Sequence, residues 1–226
     1  AGAFFGFLGP NGAGKSTTVK MLSGLLAPSA GEVRILDLDL TDPEQALAAK
    51  RRIGVVPENL ALFDNLTALE QLIFIGRIYG LPLPTVHDRA AELLAVTGLA
   101  ADADKLTVEF SHGMRKKLAL AAALLPDPEV LFLDEPFEGV DPIASRTLRE
   151  ILARTVARGA TVFLTSHILE IVERLCTEVA IIAQGRLVHC GTMAALREQG
   201  TTLEDRFLAA VGGERTHGHE LSWLED

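Results

Sequence analysis

Cysteine, tryptophan and tyrosine are close to absent from this 226-residue chain, which carries two, one and one of them. Cys176 and Cys190 form no C-x-x-C pair and have no histidine cluster beside them, which excludes a disulfide-stapled or metal-stapled scaffold. They read as reduced thiols or small core residues. Cations are in deficit too. Lys and Arg number 21 against 30 Asp and Glu, a formal charge of −9. That balance argues against a dominant nucleic-acid-binding surface, so no nucleic-acid partner is expected, although a local basic patch stays open. Long apolar runs are missing as well. The nearest, LALAAALL at residues 118–125, stops at Pro126-Asp127-Pro128, far short of the roughly 18 residues a spanning helix needs. No initiator Met opens the chain, so further residues are expected upstream of Ala1.

What is present is ordinary for a globular protein: 48% hydrophobic and 23% charged residues, over a length suiting one large α/β domain or two small ones. One stretch organises the rest. Residues 9–17, GPNGAGKST, fit G-x-x-x-x-G-K-[ST]. In this pattern Gly9, Pro10, Asn11, Gly12, Ala13 and Gly14 let consecutive backbone N–H groups close around a polyphosphate. Lys15 brings a point charge to the β- and γ-phosphates, Ser16 a hydroxyl for Mg²⁺, and Thr17 continues into the helix. Residues 3–8 (AFFGFL) read as a buried strand and residues 16–26 as a helix, so the loop sits on a helix N-terminus, where the helix dipole favours anions.

Further along, residues 32–36 read as an exposed-edge strand, and Asp42-Pro43 caps a short helix reaching residue 49. Residues 53–56 form another strand, ended by Pro57-Glu58. Thr67 and Glu70 make a capping-box pattern, and two helices broken at Gly80-Leu81-Pro82 close at Gly98. This marks residues 66–125 as a helical insertion between strands. Residues 130–133 (VLFL) are a continuous apolar run typical of a parallel strand buried on both faces. They end at Asp134-Glu135. Asp141-Pro142 caps a further helix. Residues 160–164 form a strand ending at Thr165-Ser166-His167, residues 179–183 and 186–189 a strand pair, and residues 192–199 and 202–211 two short helices. The last part, 212–226, is polar and expected to be poorly ordered. Alternation of this kind predicts an α/β fold, a mainly parallel sheet flanked by helices with a helical subdomain inserted, in a domain spanning 1–211. Ligands bind such sheets at the carboxyl ends of strands, where residues 9–16, Glu58, Asp134, Glu135 and His167 all fall.

Asp134 stands where a P-loop NTPase places the acid that holds Mg²⁺, and Glu135, one residue on, is free to polarise an attacking water. The ordered set GPNGAGKST, IGVVPE, FSHGMRKK, VLFLDEP, GVD and LTSH resembles the ATP-binding cassette (ABC) family over residues 6–192. The resemblance implies a head-to-tail dimer, with ATP held between one copy's P-loop and the other's signature segment. Ser111 and Gly113 would be the signature residues meeting the partner's γ-phosphate, Asp141 the D-loop acid and His167 the switch residue. Glu58 takes the place of the usual glutamine as a Mg²⁺ ligand, and His112 that of a signature glycine. The resemblance further implies that the family's N-terminal antiparallel strands and adenine-stacking aromatic lie upstream of the residues present.

The resulting expectation is an ATP-hydrolysing subunit of a membrane exporter. It would use ATP and Mg²⁺, dimerise with a second copy, and dock on an integral-membrane permease at the cytoplasmic face of the membrane. The stretch 60–79 is the docking candidate. A ribosome- or DNA-acting ATPase of the same family, or a metabolite kinase, are the competing readings.

Overall fold

A computed structural model describes residues 2–198 and 200–212. The expected polar tail, 212–226, lies outside the described residues from position 213 onward.

The chain opens with β1 (Phe4–Leu8), the glycine loop and α1 (Lys15–Leu22). There follow a hairpin of β2 (Arg34–Ile35) and β3 (Leu38–Asp39), then α2 (Pro43–Lys50) and β4 (Ile53–Val56). Three longer helices come next: α3 (Ala68–Ile78), α4 (Leu83–Thr97) and α5 (His112–Leu124). The remainder is β5 (Val130–Asp134), α6 (Pro142–Ala157), β6 (Thr161–Ser166), α7 (Leu169–Leu175), β7 (Glu178–Ala183), β8 (Arg186–Thr192), α8 (Met193–Glu198) and α9 (Leu203–Val211).

Six strands form one sheet in the order β4-β5-β6-β1-β7-β8. All neighbours pair in parallel except β7 and β8, which form an antiparallel hairpin at one edge. The fold is therefore α/β with a mostly parallel sheet, as the alternation of elements predicts.

Side chains alternate strictly across this sheet, because successive residues of a strand point to opposite faces. Leu131, Leu133, Val162, Leu164, Val179 and Ile181 enter the main core with Leu120 and Ala123 of α5 and Leu148 and Leu152 of α6. On the opposite face, Val19 of α1 packs with Ile53 and Phe132. Phe163 stands at the centre of that face, its ring 5.3 Å from Phe5, 5.3 Å from Phe7 and 5.7 Å from Phe132. Both faces are covered, so apolar runs such as VLFL have no polar side to show.

Helices α3, α4 and α5 share a second core of Leu72, Val86, Ala90, Leu94, Leu118 and Leu125. Its local rules are readable in the chain. Thr67 accepts from the Glu70 N–H while Glu70 reaches back to the Thr67 N–H, the full capping box. Helix α4 stops at Gly98 in the left-handed region, φ 69°. This helical lobe touches the sheet through α5, whose backbone rests on β4. A Cβ built on Gly54 would collide with the Ala123 carbonyl oxygen and lie 2.8 Å from Leu131 Cδ1, so only glycine allows that approach.

Two expectations need correction, and one element is new. The strand over 32–36 shrinks to two residues, because Leu36 and Asp37 turn through left-handed backbone at φ 54° and 63°. Helix α1 ends at Leu22 rather than 26. The Leu25 and Leu26 N–H groups both return to the Lys20 carbonyl around Gly24, which closes the last turn. Helix α7 follows His167 where the sequence pattern announces none, since only seven residues carry it. The cysteines are free thiols, Cys190 exposed and Cys176 buried, and burial pushes the Cys176 pKa up to about 12. As a test of the lobe contact, Gly54→Ala should lower unfolding stability by about 1–3 kcal/mol, read from the urea midpoint.

Candidate functional site

Because β4, β5, β6, β1 and β7 run parallel, their carboxyl ends share one edge of the sheet. A cavity of about 410 Å³ opens there. Asn11, Gly12, Gly14, Lys15, Ser16 and Thr17 line one side of it, and Glu58, Glu135, Glu138 and His167 the other. A larger groove of about 810 Å³ lies between α4 and α6 at the strands' opposite ends. Its Arg89 and Arg158 both turn toward Asp127, at 4.0 and 3.2 Å, and none of the expected site residues reaches it.

The glycine loop is braced from behind. The Ala13 N–H donates to the Pro10 carbonyl at 3.1 Å, and the Gly185 N–H, from the β7–β8 turn, to the Ala13 carbonyl at 3.0 Å. Gly14 caps α1 at φ 106°, a backbone that a side chain would resist. Lys15 is buried, with Nζ donating to the Gly9 carbonyl at 2.9 Å and the Pro10 carbonyl at 3.4 Å. It also lies 3.7 Å from Glu135 Oε1. The loop thus offers free amides, a helix N-terminus and an ammonium, the ingredients of a polyphosphate site.

The opposite wall is acidic. Ser16 Oγ donates to Glu58 Oε2 at 3.5 Å. Asp134 is buried, and its Oδ1 accepts the Thr165 hydroxyl at 2.6 Å. Glu135 is 7% exposed, with Oε2 3.1 Å from His167 Nδ1. Ser16 and Glu58 line the cavity with oxygen donors, which suit a small hard cation, whereas buried Asp134 is not among the lining residues. Among the described residues no group of three His, Cys, Asp or Glu could form a protein cage for a metal. Mg²⁺ itself takes one or two protein ligands and completes its shell with water and phosphate oxygens. An acidic wall beside a polyphosphate also needs such a cation to offset the repulsion.

Ser111, Gly113 and Asp141 gather elsewhere, at the N-termini of α5 and α6. Ser111 Oγ caps α5 by accepting from the Met114 N–H at 3.3 Å. Asp141 Oδ1 accepts from Ile143 and Ala144 N–H groups at 2.9 Å, and the Ala144 bond foremost holds this carboxyl below its usual range. A Cβ on Gly113 would lie 3.2 Å from Asp141 Oδ2, so the two segments touch. None of the three lines the P-loop cavity.

Three functional candidates escaped the sequence. Thr165, opposite Asp134 in the β5–β6 register, also accepts the Glu135 N–H at 3.0 Å. Lys116 is buried and donates to the Glu135 carbonyl at 2.7 Å. Glu138 lines the cavity. Pairing the two apolar strands from their ends would have found Thr165. The other two depend on how α5 packs.

Fold and site together define a P-loop NTPase. The pattern of the family described as ABC transporter matches residues 1–138. The linearmycin resistance ATP-binding protein LnrL of Bacillus subtilis is 41% identical over 86% of this chain and 62% of its own length. The Nod factor export ATP-binding protein I of Paraburkholderia xenovorans is 42% identical over 86% of this chain and 64% of its own. A solved structure of the ATP-binding subunit of an ABC transporter superposes with a TM-score of 0.85 at 33% identity, covering 92% of this chain and 88% of that one. The chain belongs to the ABC transporter family, as an ATP-binding cassette. It spans under two thirds of the length of these two relatives.

Thr165→Val would leave the buried Glu135 N–H without its acceptor and Asp134 without its donor. Unfolding stability should fall by about 1–3 kcal/mol in urea titration.

Proposed function

We propose that the chain is the ATP-hydrolysing subunit of a membrane exporter, working as a head-to-tail dimer beside a separate permease. The observation that carries this reading is the split of the site. One set of groups surrounds the P-loop cavity, and a second helix N-terminus, Ser111 with Gly113, stands outside it. A second copy, facing head to tail, would bring that N-terminus onto the first copy's nucleotide.

In this reading residues 9–17 bind the triphosphate of ATP, with Lys15 leaving the Gly9 carbonyl for phosphate oxygens. Ser16, Glu58 and Asp134 would hold Mg²⁺, which, when bound, offsets phosphate charge and orients the leaving group. Glu135 is the general base, taking a proton from the attacking water, and His167 holds its carboxylate at one oxygen. Thr165 fixes Asp134 on the metal side and the Glu135 N–H on the other, which keeps the two carboxylates in separate roles. Ser111, Gly113 and Asp141 serve the partner's nucleotide.

The domain is read as residues 1–211, with 66–125 its helical subdomain. Among the described residues no helix is long and apolar enough to cross a membrane, so the permease supplies the spans. Phe63 and Phe74 pack edge to face at 5.0 Å and stay 48% and 39% exposed, with Ile78 bare beside them in sequence on α3. This apolar face within 60–79 is the proposed permease dock, at the cytoplasmic surface of the membrane. The exporter reading draws on the relatives' names, one of which is an export protein.

Glu135→Gln should cut turnover to a small residual rate and trap an ATP-bound dimer in size-exclusion chromatography. A variant that stays monomeric with ATP, or turns over at the wild-type rate, sinks the proposal. Specific activity of the isolated chain should also rise with protein concentration, because a lone copy lacks half its site. A flat dependence counts against the dimer.

A further inference from the structure

We propose that Lys116, with His112 one turn before it, latches α5 onto the loop carrying Glu135, and that Lys116 is a positioning residue for the Glu135 carboxylate. The inference rests on the reading of Glu135 as the general base.

Residues 112 and 116 are four apart and share a face of α5. Lys116 Nζ donates to the Glu135 carbonyl at 2.7 Å, and His112 Nε2 lies 3.3 Å from the Glu138 carbonyl. A carbonyl only accepts, so the histidine nitrogen donates there. Between them, Gly113 abuts Asp141. A single turn of α5 therefore grips the following loop at residues 135, 138 and 141.

A lysine is rarely this buried, and Lys116 is 3% exposed. Burial works against its charge, while Glu138, Glu135, Asp134 and Glu58 favour it, in that order. Its carbonyl partner belongs to a residue with unusual backbone. Glu135 sits at φ 48°, a left-handed conformation that a non-glycine residue keeps only when its surroundings hold it. Two bonds do so. Thr165 of β6 holds the N–H at 3.0 Å and Lys116 of α5 holds the C=O.

These two grips differ in what they are attached to. Thr165 is part of the sheet, whereas Lys116 rides on the helix whose N-terminus presents Ser111 and Gly113. A shift of α5 on meeting the partner's phosphate would move one anchor of the Glu135 peptide and leave the other in place. The carboxylate would turn accordingly. Each copy's base would then be set by the occupancy of the other copy's P-loop.

The test measures steady-state ATP hydrolysis and MgATP binding by the full-length protein assembled with its permease. The variants are Lys116→Met, Lys116→Gln, and each combined with Glu135→Gln. Lys116→Met should lower kcat by about 10- to 100-fold, as a small misplacement of a catalytic group does. Its MgATP affinity should stay within about twofold of wild type, and it should cost nothing further in the Glu135→Gln background. Lys116→Gln, a neutral donor one bond shorter, should show a smaller loss of the same kind. Wild-type kcat in folded Lys116→Met overturns the latch, and so does an equal loss in the Glu135→Gln background. Where Lys116→Met does not fold, the same two measurements on Lys116→Gln decide for or against the latch. Should Glu135→Gln alone leave turnover intact, the reading of Glu135 fails first and the latch falls with it.

Discussion

Parallel pairing of five strands is the constraint from which the rest of this molecule follows. Strands aligned in one direction deliver every connection that leaves their carboxyl ends to the same edge. Segments separated by well over a hundred residues, such as the glycine loop after β1 and His167 after β6, become neighbours without any contact having to be arranged individually. The cost is that both faces must be covered. Helix α1 with the phenylalanines around Phe163 covers one, and α5, α6 and α7 cover the other.

Charge is distributed at that edge in an uneven way. Lys15 is buried against backbone carbonyls and one carboxylate, that of Glu135, while Glu58 and Glu138 line the same cavity. A site this acidic is poorly suited to a bare polyphosphate and well suited to one carrying a cation. On the proposed reading, a cation held by oxygen donors such as Ser16 and Glu58 would offset the conflict between an anion-binding loop and an acidic wall.

What can be seen in the chain alone is whatever is governed by neighbours in sequence. Asp42, Thr67 and Asp141 cap helices through groups two or three residues away, and each cap is present. The glycine loop, Asp134, Glu135 and His167 end strands whose apolar runs are unmistakable, so their meeting at one edge of the sheet follows from topology alone. The hidden features depend on distant partners. Thr165 and Lys116 reach across 31 and 19 residues, and nothing local marks them as more than a strand threonine and a basic residue on a helix. The sequence pattern carries α1 too far because Leu25 and Leu26 continue an apolar spacing that the turn at Gly24 leaves exposed. The P-loop group and the Ser111 group are readable as residues, but their separation in space follows only from the family resemblance, not from their spacing.

The left-handed backbone at residue 135 has a consequence for how such a chain evolves. A glycine or asparagine would occupy that conformation more comfortably than glutamate, by an amount on the order of 1 kcal/mol. On backbone conformation alone, selection for thermal robustness would favour replacing this glutamate. On the proposed role of Glu135 as the base, its position is where fitness through folding and fitness through turnover pull in opposite directions.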